Sequence, residues 1–369
     1  LYLVLDDQLP DGDPTMAVHT QAREFRDRDI IMDTDGRIFV VLGYIQPKDR
    51  ILSFLKYMPD RQGKWSLGGQ RYRRMFFGGV DSVVSGLEVV PQDYLSHDLH
   101  FGTELLEVPY VRVASHYRPE ERLDEIVREG PSDRLEDMAL RLAEALHDTL
   151  GIPMQDIGVA GSILWKGHNP SFSDINMNVY GFRNSWTLKN EHDAVGSSRD
   201  VRLRKSDEWE RGINRILERI PVLSRPDIDM LFQRRFAFYY DDQCIGVTPV
   251  LRADEAPIIH GSEKYQTVEP TPVKATFSVH SVEYGLFNPG IIEGRSEPLD
   301  KIGGLSATRV MIYDGIFNGL FNQGDTLEIS GTLQQVTADG RAPGESYQLM
   351  VGSKSGAGLE YVRLKSQLS

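Results

Sequence analysis

Apolar residues alternate with polar ones in two distinct rhythms along this chain, and the switch between them outlines its elements. RDIIMDTDGRIFVVLGYI, ending at Ile45, carries two apolar runs separated by Thr34-Asp35-Gly36. Asp-Gly favours a tight hairpin because glycine accepts positive φ, so two strands are expected here. DRILSFLKYMPD then fits a short helix or another strand. VPYVRVASHYRPEERLDEIV runs from a strand into a helix, with Pro119 suited to a first helical position. The clearest helix is expected over 133–150: Asp133 and Glu136 have capping-box spacing, and Leu135, Met138, Leu142, Leu146 and Leu150 recur on one face. Gly151 and Pro153 end it.

From Asp156 to Gly181 the pattern reads strand, Gly-Ser turn, short helix, loop and second strand. Residues 207–220 and 226–238 are expected to be helical, and QCIGVTPVL to be a buried strand. After Pro272 the rhythm changes to short alternating segments separated by Gly, Asn, Asp and Pro, the mark of a small antiparallel barrel. The expected fold is therefore a multidomain α+β or α/β chain. It divides into an N-terminal α+β region (16–130), a mixed-sheet α/β core (131–262) and an OB-like β-barrel (263–369).

Composition narrows the class. With 40% hydrophobic and 26% charged residues, the 369-residue chain can bury proper cores. The single cysteine, Cys244, rules out a disulfide framework and a cysteine zinc site. No stretch approaches the roughly 18 uninterrupted apolar residues of a membrane helix. The opening LYLVLDDQLPDGD meets Asp6 and Asp7 too early for a signal-peptide core. A cytoplasmic location is expected. The net charge of −13 argues against non-specific coating of nucleic acid, which depends on neutralising phosphates. Positive charge nevertheless clusters at Arg71, Arg73 and Arg74, at Arg199, Arg202, Arg204 and Lys205, and at Arg234 and Arg235.

Candidate chemistry concentrates after Asp156. In the strand around Ser173-Asp174-Ile175-Asn176-Met177-Asn178, the residues Asp174, Asn176 and Asn178 share one face. Three adjacent oxygen-bearing side chains could hold a hard cation such as magnesium. Gly161-Ser162 opens a short helix after a strand, where amides and a hydroxyl could receive an anion. Lys166 could contact a triphosphate and His168 could line the pocket, although a solvated lysine and a loop-capping histidine explain them as well. An ordinary crossover with one polar strand face also accounts for the whole pattern. His116 reads as a structural histidine at a strand–helix junction.

Gly161-Ser162, His168-Asn169-Pro170, Ser173-Asp174 and Val179-Tyr180-Gly181 resemble the Gly-Ser…Ser-Asp-x-Asp signature of the DNA polymerase beta-like nucleotidyltransferases, in an archaeal form. RDRDII, GYIQPKDR and HYRPEERL extend the resemblance over most of the chain. It implies two magnesium ions held by three carboxylates, which bind a nucleoside triphosphate and activate an acceptor hydroxyl. Gly161 and Ser162 would grip phosphates, and Asp174 would be catalytic and bridge the metals. The second metal ligand should stand at 176, where this chain has Asn176, and the later strand 243–250 offers no third. Asp241 and Asp242 read instead as a hairpin tip.

Two functions follow from the resemblance. One is a degenerate relative that serves as an RNA- or ribonucleoprotein-binding factor, the ribosome being such a partner, and still binds a nucleotide. The other is an active magnesium-dependent transferase acting on RNA, protein or a small acceptor. Asn176 favours the first. The barrel aromatics Tyr284, Phe287, Tyr313, Phe317 and Phe321 could stack on bases or fill the barrel core.

Overall fold

The computed structural model describes residues 24–365, apart from 77, 80–82, 84–85, 198–199, 300–302 and 339–345. The Asp35-Gly36 step turns the chain as its chemistry requires. Strands β1 (Ile30–Asp33) and β2 (Ile38–Val41) pair antiparallel, and Gly36 takes a φ of +79°. DRILSFLKYMPD is strand, not helix: β3 (Arg50–Pro59) pairs with β2 over part of its length. The sheet is completed by β4 (Trp65–Leu67), β5 (Gln70–Arg74), β6 (Leu95–Asp98), β7 (Thr103–Pro109) and β8 (Val113–Tyr117). Its main path runs β4-β5-β3-β2-β1-β8, and β7 joins β3 and β6.

Helix α1 (Pro119–Glu129) starts on Pro119, and α2 (Arg134–Leu150) starts where the Asp133 carboxylate accepts from the amides of Leu135 (2.8 Å) and Glu136 (3.1 Å). Glu136 does not close a capping box on Asp133. Its carboxylate accepts instead from the amide and hydroxyl of Ser132. The central sheet holds β9 (Ile157–Ala160), β10 (Ile175–Tyr180), β11 (Val201–Leu203), β12 (Phe238–Tyr240) and β13 (Gln243–Val250), in the order β11-β12-β13-β10-β9. Strand β10 is antiparallel to β9 and parallel to β13. Ile175, Met177 and Val179 enter one core with Leu142, Leu146 and Leu188. That core uses α1, α2 and α4 (Phe182–Val195). Between β9 and β10 lies α3 (Gly161–Leu164), a single turn.

Helices α5 (Glu210–Arg219) and α6 (Arg225–Phe232) follow. The second ends at Phe232 rather than reaching 238, because Phe238 is already paired in β12. Their apolar faces do not join the central core. Trp209, Ile213, Ile216, Ile228 and Leu231 pack with Phe277, Ile329 and Val362 of the C-terminal part.

That part is a closed five-stranded barrel. Strands β15 (Val273–Tyr284), β16 (Gly290–Ser296), β17 (Arg309–Ile312), β18 (Thr326–Ala338) and β19 (Ser346–Val351) form the ring β15-β16-β17-β19-β18-β15. Only the β17–β19 pair in this ring is parallel. Strands β14 (Glu263–Thr267) and β20 (Tyr361–Leu364) add to β18. Segment 263–267, a boundary by sequence, is thus itself part of the barrel sheet. A mixed cluster of Ile45, Leu52, Phe101, Tyr265, Ile291 and Met311 ties the barrel to the N-terminal sheet. No described helix is long and apolar enough to cross a membrane.

Candidate anion site between the N-terminal and central sheets

The polar face of β10 has the composition its alternation predicts. Asp174 and Asn176 are exposed, whereas Asn178 is buried and donates from Nδ2 to the Tyr180 hydroxyl at 3.2 Å. In the parallel register Asn176 stands beside Gly246, and Asn178 beside Thr248. Gly161 has a φ of +65°, and a methyl group there would come within 3.1 Å of Asn176 Nδ2. Left-handed backbone and close approach together call for glycine. The structure therefore brings Gly161, Asn176 and Gly246 to one spot, with Asp174 on the same strand face.

Two expected contributors go elsewhere. Lys166 pairs with Glu125 on α1, and its backbone lies in the left-handed region at φ +58°. His168 Nε2 lies 2.7 Å from Asp133 Oδ2 and so sits at the start of α2. Ser162 is buried beneath the single turn of α3. One turn aligns too few peptide units for the helix-terminus anion site expected there.

Across from β10, the N-terminal sheet presents cations. Lys56 of β3 is partly accessible yet densely surrounded. Its Nζ lies 4.6 Å from the Phe76 ring centre and 5.9 Å from that of Phe54. Burial, reinforced by Arg74 and Arg28, lowers its pKa to about 7, while Asp174 acts in the opposite direction. Among the described residues the Lys56 ammonium has no hydrogen-bond or ion-pair partner, its backbone carbonyl accepting from the Met75 amide. Arg28 is held at φ +71°, a conformation that costs a non-glycine residue energy and is often found at functional sites. Its Nε is buried without an acceptor, 3.4 Å from Asp27 Oδ2 but without hydrogen-bond geometry. Asp27 Oδ1 is already engaged by the Gly43 amide and by Asn288 Nδ2.

Beside this face, a cavity of about 900 Å³ opens where the three parts meet. Phe54, Phe76 and Thr248 line it, together with Arg28, Lys189, Arg234, Arg235 and Lys354. The acids on its wall are Glu104 and Asp314. Asp314 is paired with Arg219 at 3.0 Å, and Arg234 with Asp325. Arg235 gives a hydrogen bond to the Ile316 carbonyl at 2.9 Å, and burial pulls its pKa below the usual arginine value. Burial, then Arg234 and Arg235, lower Lys189 to about 8. An acidic chain has thus gathered under-compensated positive charge inside a cleft, where a low dielectric strengthens its pull on anions.

These residues do not fit a two-metal centre. Asn176 offers an uncharged amide, and Gly246, its β13 neighbour, offers no side chain. Asp241 sits at the β12–β13 hairpin tip with φ +50° and lies 3.9 Å from Arg134. The Asp174 charge acts on Lys56, Tyr57 and Cys244. Asp133, Glu136 and His168 do place ligand atoms within 4.8 Å of one another. Arg122 already donates to Glu136, and Asp133 caps α2, so both carboxylates are committed to protein donors, while His168 Nδ1 is buried without a partner.

Of the basic clusters seen in sequence, Arg74, Arg234 and Arg235 reach the cleft or its charge field. Arg202 pairs with Glu208, Arg204 stacks on Trp209, and Arg199 lies outside the described residues. His116 Nε2 contacts Asp29 at 2.8 Å, a structural pairing. Sequence reasoning missed Lys56 and Arg28. The legible signal was a lysine inside the apolar strand ILSFLKYM.

Comparison with known proteins adds one relative. The chain is similar to the uncharacterized protein MJ1086 of Methanocaldococcus jannaschii. The two are 23% identical over 369 aligned positions, which cover 92% of this chain and 99% of that protein. No known family description matches the chain. No solved structure matches it.

Proposed function

We propose that this protein is a nucleotidyltransferase-like RNA-binding factor that keeps a nucleotide-sized anion site and has given up two-metal transfer. The observation that carries the reading is the cavity of about 900 Å³ lined by Arg28, Lys189, Arg234, Arg235 and Lys354, which reaches Thr248 on the β13 flank of the strand face where Gly161 meets Asn176. A triphosphate suits such a cleft through charge-assisted hydrogen bonds. The strand sequence, with Gly-Ser after β9, the polar-faced β10 antiparallel to it and β13 parallel, agrees with the polymerase beta-like core that the sequence resembles. The barrel order, with its single parallel pair, agrees with an OB-like module, a scaffold that binds single strands. Phe287, Phe317 and Phe321 are buried, so stacking on a strand would fall to other residues.

The active-transferase reading keeps one supporting observation, the exposed Asp174 on the same strand face as Asn176. Incubating the purified protein with each labelled nucleoside triphosphate, magnesium and a mixed RNA pool separates the two. Retained RNA without label transfer is the expected result. Transfer that disappears in Asp174→Ala would restore the enzyme.

A further inference from the structure

A cation drawn out of bulk water is costly unless a negative group stands beside it. Lys189 and Arg235 are in that position on the wall of the cavity of about 900 Å³. Lys189 belongs to α4, and Arg235 follows the end of α6. Lys189 Nζ donates to the Arg234 carbonyl at 2.8 Å, so its ammonium lies against the peptide that leads into Arg235. Arg235 Nη1 donates to the Ile316 carbonyl at 2.9 Å, and its guanidinium carbon lies 5.3 Å from the Phe232 ring centre. Among the described residues neither forms an ion pair, and each has donors left over after its one carbonyl.

Two other arginines of the wall are already answered. Arg234 holds Asp325, with Nη2 3.1 Å from Oδ1, and Arg28 stands 3.4 Å from Asp27. Asp314, whose charge reaches Arg235, is itself held by Arg219 at 3.0 Å, and Glu104 is exposed on β7. The Gly161-Ser162 turn, where the resemblance puts the phosphates, does not line the cavity, and Ser162 is buried.

We propose that Lys189 and Arg235 are the phosphate grip of this cavity, holding the terminal phosphoryl group of a nucleotide whose base lies against the apolar wall of Phe76, Leu105 and Phe236. The inference deepens the nucleotide-binding reading above and rests on it. A terminal phosphoryl group carries roughly two negative charges at neutral pH and several acceptor oxygens, which suits two neighbouring cations with donors to spare. A carboxylate would answer only one of them. Arginine offers a planar fork that takes two phosphoryl oxygens at once, and lysine adds a point charge. Burial lowers the Lys189 pKa to about 8, which leaves the ammonium protonated at neutral pH. Phe236, whose ring centre is 5.9 Å from Lys189 Nζ, sets an aromatic face beside the grip. The cavity is large enough for the rest of the ligand, since pockets for small molecules run from about 300 to 1,000 Å³.

Calorimetric titration of the full chain with the four nucleoside 5′-monophosphates, their triphosphates and the parent nucleosides tests this. The expected result is binding of at least one nucleotide, with its nucleoside at least about tenfold weaker. Lys189→Met should weaken that nucleotide about ten- to a hundredfold, the worth of a charge-assisted hydrogen bond, and Lys189→Arg should retain most of the affinity. Acetylation of the wild-type chain with acetic anhydride, read by peptide mass spectrometry, needs no variant: the saturating nucleotide should protect Lys189, and the nucleoside should not. Unprotected Lys189 at saturation, or affinity lost in Ser162→Ala and kept in Lys189→Met, would overturn the inference and leave the nucleotide-binding reading standing. Equal affinity for nucleotide and nucleoside, or no binding of either, would remove both.

Discussion

Replacing Lys56 by Met keeps an unbranched stem between Phe54 and Phe76 and removes only the ammonium. The charge is costly where it sits: its pKa falls from 10.5 to about 7, chiefly by burial. At ~1.4 kcal/mol per tenfold, that fall corresponds to a ceiling of roughly 5 kcal/mol of destabilisation while the lysine is charged. Lys56 keeps some solvent access, so screening should reduce this to about 2 kcal/mol. The sign follows from proton counts. Below about pH 7 the lysine is protonated in native and unfolded chains alike, and the full cost applies. Between about 7 and 10.5 the native chain gives up a proton that the unfolded chain retains, so wild-type stability rises with pH. Lys56→Met should therefore be more stable than wild type at about pH 6, and the advantage should shrink by about pH 9. Urea unfolding at both pH values, followed by tryptophan fluorescence, measures it. An equal difference at the two pH values, or a less stable variant at the lower one, would refute the argument.

Asn176→Asp places a second carboxylate two residues from Asp174 on the same strand face. It should make nucleotide binding tighten with magnesium, while transfer stays absent because Gly246 still offers no third ligand; a magnesium titration of ATP affinity reads this out. Gly161→Ala should cost about 1–2 kcal/mol through its positive φ and disturb Asn176, whereas Gly212→Ala in α5, with open space around it, should gain about 0.5–1 kcal/mol. Denaturant midpoints of the two variants should move in opposite directions. Glu107 is pushed up to about 8, first by burial and then by Asp98. The native chain holds this proton above the ordinary value of 4.5 and loses stability as pH rises toward 8, so Glu107→Gln should flatten the fall. The variant's melting temperature should gain on wild type by about 2–4 °C between roughly pH 5 and 8.5; parallel curves would count against the pairing.

What the sequence made legible was local. The Asp35-Gly36 hairpin, the Asp133-capped helix and the β10 alternation each follow from neighbouring residues, and each is present. The ambiguous ILSFLKYM resolves to a strand because its pairing partners, β2, β5 and β7, lie elsewhere in the chain, where no local periodicity can signal them. The candidate site was half legible for the same reason. Gly161, Asp174 and Asn176 lie close in sequence, and the structure brings Gly161 and Asn176 into contact. Lys166 and His168 are as close in sequence, yet ion pairs to α1 and α2 draw them away. Lys56 comes from a different sheet and Arg28 from the turn before it, and only tertiary packing brings the charges of Arg28 and Asp174 to bear on Lys56.

The shared core of α5, α6 and the barrel also has a consequence for how the protein is made. Trp209, Ile213, Ile216 and Leu231 leave the ribosome well before the strands that cover them, and the barrel ring closes only with β19 at Val351. At ~5–20 residues per second, the roughly 120 intervening residues keep that apolar face waiting for about 6–25 s. A chain stalled or cut before Val351 displays it to solvent, which makes truncated products clients for chaperones and proteases rather than stable two-part fragments. The C-terminal barrel is therefore the last piece of the central region's own fold, and synthesis must finish before the cleft above it can hold its shape.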